Sequence, residues 1–144
     1  MKLKTHVPAN GKKAKQHLLV ACGSERYGID IVCVDNVVRI TDIARVPGAQ
    51  PYYKGILHLR GEVVAVMSLR LRMKLEDALF TDDSRIVILK IGDSGSLGII
   101  VDRVDGMAVL TEEEKGYQRE FVTGTGQYGE EQIFLLDIKA IAGA

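Results

Sequence analysis

The sequence predicts an all-β domain of about ten short strands, closed as barrels or stacked as a sandwich. Three observations predict it. Short runs rich in valine, isoleucine and leucine recur along the chain. Gly occurs 15 times, chiefly between those runs, at the spacing of a multi-turn β protein. Helical spacing is scarce, which argues against alternating βα units.

The elements follow in order. Residues 1–16, "MKLKTHVPANGKKAKQ", are polar and lack hydrophobic period, so a flexible basic tail is expected ahead of a domain at 17–144. Residues 1–17 hold five lysines and no acid, and since 19 − 5 leaves 14 basic against 19 acidic residues, the remainder carries −5. Strands are expected at 17–22, 27–31, 32–40, 55–59, 62–67, 85–91, 97–102 and 107–110, then in "FVTG" and "EQIFLLDI". In "VCVDNVVRI" strict alternation places Val32, Val34 and Asn36 on one face and Cys33, Asp35 and Val37 on the other. Segment 68–80 has Leu69, Met73 and Leu75 at near-helical spacing, and "DIKAIAGA" adds a terminal turn. The irregular stretch 41–55 holds Pro47 and Pro51, each without an N–H donor, and segments of this kind carry function.

The chain of 144 residues suffices for one domain with a real core. No apolar run is long enough to insert in a membrane and no signal-peptide order opens the chain, so a cytoplasmic home is expected. The folded part is acidic, which excludes a nucleic-acid module. Cys22 and Cys33 lie in apolar runs without C-x-x-C spacing and read as buried thiols.

Catalytic look-alikes fall short. "GDSGS" (92–96) resembles a serine-protease nucleophile segment, but Ser94 needs a histidine oriented by a carboxylate. His6, His17 and His58 lie in no such setting, and Asp, Ser and Gly here form an ordinary turn. "GTGQYG" (124–129) fits G-x-G-x-x-G but precedes a strand rather than opening a helix. Three histidines show no metal-ligand spacing. The chain reads as a protein without catalysis, metal or cofactor, with a small β-barrel hydrolase using Ser94 as the alternative from another class.

Four segments in order resemble the CheW family, the adaptor domains of bacterial chemotaxis. They are "YGIDIVCVDNVVRI" (27–40), "VPGAQPYYKGILHLRGEVVAVMSLR" (46–70), "RIVILKIGDSGSLGIIVDRVDGM" (85–107) and "FVTGTGQYGEEQIFLLDI" (121–138). The second, with Gly-x-x-x-Leu-Arg-Gly followed by an apolar strand, is the most specific. Together they cover about residues 17 to 141. The resemblance implies two interlocked five-stranded SH3-like barrels with little helix over a shared apolar core. It implies a scaffold that bridges the helical hairpin tips of methyl-accepting chemoreceptors to the regulatory domain of a CheA-type histidine kinase. A scaffold of a non-chemotaxis signalling route is the alternative within the family.

The resemblance also nominates residues. Arg60, of the Leu-Arg-Gly motif, falls beside the groove that takes the receptor hairpin, where a planar charged fork would grip carboxylates or carbonyls of a helix. The plain alternative is a solubilising hairpin tip. Val34, Asn36 and Val37 fall on the strand that lines the groove. Because strict alternation cannot turn Val34 and Val37 the same way, a bulge or an edge position is required, and core burial is the alternative for Val37. Gly55 joins the receptor set by keeping the backbone close at the start of the motif strand. Ile31 matches a position that meets the kinase. Asn36 stands where the family commonly has Glu, His58 where it has Asn, and Ala65 where it has Pro. The segment near 111–120 is shorter than in many members, which leaves ring-type assembly open.

Overall fold

The structure, a computed structural model, describes residues 3–4, 14–93, 95–113 and 119–143. Its regular structure is mostly strand, in the order β1 Leu3–Lys4, β2 Ala14–Cys22, β3 Glu25–Asp30, β4 Val34–Arg39, β5 Tyr53–Leu59, β6 Glu62–Ser68, β7 Arg85–Lys90, β8 Ser96–Val101, β9 Arg103–Glu113, β10 Val122–Tyr128 and β11 Glu131–Leu136. A 3-10 turn covers Ile31–Cys33, and two short helices, α1 Leu69–Arg72 and α2 Ile138–Ala142, complete the set.

Both ends of the chain build one barrel and its middle builds the other. The first runs β9-β10-β11-β3-β2 and closes through β2–β9 pairing, with β1 added in parallel to β9. The second runs β4-β7-β8-β6-β5. Ala44 closes it against β5, exchanging both backbone hydrogen bonds with Ile56 at 2.9 and 2.8 Å. Gly55 makes that closure possible. Its φ is 143°, and a Cβ there would sit 2.2 Å from the Ala44 carbonyl oxygen, so no larger residue fits.

Three apolar clusters follow from strand alternation. Leu57, Val64, Val66, Ile86, Ile88 and Ile100 fill the second barrel, and Leu19, Ala108, Leu110, Ile133 and Leu135 fill the first. The largest lies between the barrels, where Met67, Val87, Leu89, Leu97 and Ile99 from one meet Leu18, Val20, Tyr27 and Ile29 from the other. Burying such a side chain stabilises by about 1.5–3 kcal/mol, so this shared layer holds the barrels as one unit.

Three boundaries differ from expectation. β2 starts at Ala14, ahead of the expected boundary at His17, because Lys15 and Gln16 pair with Leu110 and Val109 through backbone alone. The rest of the expected basic tail, residues 1–2 and 5–13, lies outside the described residues. The expected strand 32–40 is interrupted by the Ile31–Cys33 turn, which Asp30 caps by accepting from the Val32 N–H. The expected helix over 68–80 is a single turn, α1. It closes as a Schellman motif, with Lys74 at φ 64° and bonds from Lys74 N to Leu71 O and from Leu75 N to Arg70 O.

Candidate functional site

The hairpin of β5 and β6 turns at Arg60-Gly61, since Leu59 pairs directly with Glu62. Both loop residues have positive φ, 53° and 79°, the signature of a type I′ turn, whose twist matches that of the strands. Glycine takes this conformation freely. An arginine does not, because its Cβ crowds the backbone at a cost of roughly 1–2 kcal/mol. Local strain at an exposed residue points toward use of its side chain.

The two neighbouring arginines show what a structural arginine looks like here. Arg70 donates to both Asp102 oxygens at 2.8 and 2.6 Å, and Asp102 also accepts the Gly23 N–H at 2.8 Å, tying α1 to the β2–β3 turn. Arg72 lies between the rings of Tyr52 and Phe121, 4.3 and 4.5 Å from their centroids. Its N–H groups reach the carbonyls of Ala140, Ile141 and Gly143, neutralising the end of α2. Among the described residues the Arg60 guanidinium has no such partner. It is exposed at the hairpin tip.

The register relates that tip to β4. Val34 pairs with Leu89, Leu89 with Leu97, and Leu97 with Ala65, forming one row across the sheet. These four side chains face the shared inter-barrel layer. Beyond the row the hairpin continues to the His58–Val63 pair and then to Arg60. Val63, two positions from Ala65, shares its face, yet it is 60 % exposed. Val32, in the turn before β4, is 70 % exposed. At one end of the sheet the shared apolar layer therefore runs out into solvent, with Arg60 at its limit.

A bulge at Asp35 completes this margin. The pairing passes from Val34–Leu89 to Asn36–Ile88 and Val37–Val87, leaving Asp35 unmatched. The extra residue turns Val34 and Val37 to the same side, and both pack half-buried against the shared layer. Asn36 goes the other way, opposite Ile88 of the barrel interior. This corrects the alternation that grouped Asn36 with Val34. The Asn36 Oδ1 accepts the Val37 N–H at 2.8 Å, a bond within the bulge.

The remaining nominated residues fall into place around this end. Gly55 is buried, its backbone held close under Ala44 at the start of the motif strand. Ile31 is half-buried in the 3-10 turn, against the edge of the shared layer. Two surface cavities of about 600 and 420 Å³ lie under the 45–51 loop around Tyr53 and Lys54, and neither is lined by a nominated residue. The margin is an open shelf, suited to a long partner rather than an enclosed small molecule. Sequence reasoning missed Val63 and Val32. In "GEVVAVM" the outward valine is hidden among inward ones, and only the length of the hairpin beyond the row exposes it.

Ser94 and His6 lie outside the described residues. Gly92 and Asp93 form the turn from β7 to β8. Of the described histidines, His17 is buried in the first barrel, its Nδ1 2.9 Å from the Lys15 carbonyl, while His58 is exposed on the second. Among the described residues no group of three metal-ligating side chains gathers, and no helix is long and apolar enough to cross a membrane.

Residues 16–144 match the family model of the CheW-like domain. The chain belongs to the CheW-like family. Among curated CheW relatives, the chemotaxis protein CheW of Treponema pallidum is 32 % identical over 128 residues, covering 81 % of this chain and 75 % of its own. That of Klebsiella aerogenes is 27 % identical over 135 residues, covering 88 % and 81 %. Among solved CheW structures, the scaffolding protein TtCheW from Thermoanaerobacter tengcongensis superposes with a TM-score of 0.77 at 27 % identity, covering 87 % of this chain and 90 % of its own. The CheW-like fold, all-β with paired barrels, is the one the sequence predicts. CheW-like domains are adaptors without catalysis, and this chain is one of them.

Proposed function

We propose that this chain is a chemotaxis adaptor that couples chemoreceptor tips to a CheA-type histidine kinase in the cytoplasm. The single observation that carries the reading is the exposed margin of the inter-barrel layer, with Val34, Val37, Ala65 and Val63 on one face and an untied, strained Arg60 at its end. An amphipathic helix of the receptor's hairpin would lay its apolar stripe along these side chains, the helix-in-groove mode. Arg60 would then donate to a carboxylate or terminal carbonyl of that helix, its aliphatic stem covering apolar surface beneath. Asn36 and Gly55 act through the backbone, one by fixing the bulge and the other by letting the barrel close. Ile31, beside Val32 in the turn before β4, is the proposed contact for the kinase regulatory domain.

Calorimetric titration of a soluble receptor-tip fragment into the purified chain tests this. Val34→Asp places a charge on the shelf and should weaken binding at least about tenfold, since a buried unpaired charge is costly. Leu79→Asp alters an exposed leucine away from this end and should leave binding unchanged. Equal affinities for Val34→Asp and the parent chain would remove the shelf as the receptor site.

A further inference from the structure

β9 is longer than its partners, and among the described residues part of one edge is left without cover. One edge pairs with β2 from Ala21–Arg103 to Ala14–Thr111. On the other edge β10 reaches only Glu112 and Glu113. A bulge at Asp105, where the β2 register slips between Leu19–Gly106 and Val20–Val104, bounds the open stretch at its start. Between these limits the described cover is Leu3–Lys4, pairing in parallel with Met107 and Ala108. An exposed strand edge presents unmet N–H and C=O groups and invites another chain.

We propose that this edge of β9 is a strand-addition site, filled by the chain's own N-terminal segment, and that emptying it lets two copies pair through β9. Chain length permits the intramolecular strand. Lys4 lies opposite Ala108 on one side and Ala14 opposite Thr111 on the other, roughly 14 Å apart by strand spacing and rise, while the nine residues of 5–13 span up to about 30 Å. So short a tether holds the segment at millimolar effective concentration.

Amide exchange of Gly106–Val109, followed by NMR with sedimentation in parallel, tests the proposal on Lys4→Pro and on a chain lacking residues 1–13. Proline cannot donate to the ladder. In both variants, exchange at the outward amides of β9 should quicken about tenfold or more, and the mass should rise toward a dimer with concentration. A peptide of residues 1–13 added to the shortened chain should restore slow exchange and the monomer. Unchanged exchange in both variants would overturn the intramolecular strand. Faster exchange in a chain that stays monomeric would overturn the pairing of copies.

Discussion

Three arginines lie within thirteen residues, and their surroundings separate support from recognition. Arg70 and Arg72 are each tied down by a carboxylate, by carbonyls or by aromatic faces. Arg60 has none of these among the described residues and sits in a backbone conformation that an arginine resists. Its identity is therefore not required by the fold, which makes stability and binding separable. Arg60→Asn keeps a residue that accepts a positive φ in a type I′ turn. The variant should melt at the same temperature or a few degrees higher, while affinity for the receptor tip falls by about 2 kcal/mol, as for a hot-spot arginine. Thermal melts and titration on one preparation read both quantities. A variant that loses stability and binding together would return Arg60 to the role of a turn residue.

The elements show why part of this arrangement was legible in the sequence and part was not. Strands such as β7 and β8 announce themselves, because unbroken β-branched runs bounded by Gly, Asp and Ser have few other conformations. The Leu-Arg-Gly turn is equally plain, since Gly61 marks the reversal. The interior of 31–40 is not. Val32, Cys33, Val34, Val37 and Val38 are all suited to extended structure, and neither the 3-10 turn nor the bulge at Asp35 requires a glycine. The need for a bulge or an edge position was visible from the two valines, but the consequence of the bulge for Asn36 was not. Likewise α1 ends on Lys74 in a left-handed conformation, where composition gives no stop signal. The bulge also makes a sharp test at this scale. Asn36→Leu removes the acceptor of the Val37 N–H and should cost about 1 kcal/mol while weakening receptor binding, whereas Asn36→Asp retains the acceptor and should restore both. Binding unchanged in Asn36→Leu would show that Val34 and Val37 are held together by packing alone.

At the scale of the whole molecule, buried titratable groups confine stability to a window of pH. Burial pushes the His17 pKa below its ordinary 6.5, with Asp30, Glu112 and Lys15 around it and the Lys15 carbonyl at its ring. The folded chain thus declines a proton that the unfolded chain accepts, and stability falls as pH drops below about 6.5. Carboxylates act in the same direction further down. Glu25 is held below the usual range by its Arg119 bonds. Asp102 is too, because its bonds from Arg70 and Gly23 outweigh the burial that opposes them. Both lose their contribution as they protonate through their lowered pKa values. On the alkaline side burial raises Cys22 from 9.0 to about 12, so the unfolded chain ionises first and stability falls as pH rises past 9. Burial and the Glu25 hydrogen bond raise Tyr27 as well, with the same sign. Thermal melts from pH 4 to 10 should show a plateau between roughly pH 6.5 and 9. His17→Gln removes the group that sets the acid edge, and that edge should then move down into the carboxylate range, where the unfolded chain takes up protons on Glu25 and Asp102 before the folded chain does. An acid edge that stays at 6.5 in His17→Gln would assign it to another group, and the burial of His17 between β3 and β9 would then have no part in the acid response of the barrel.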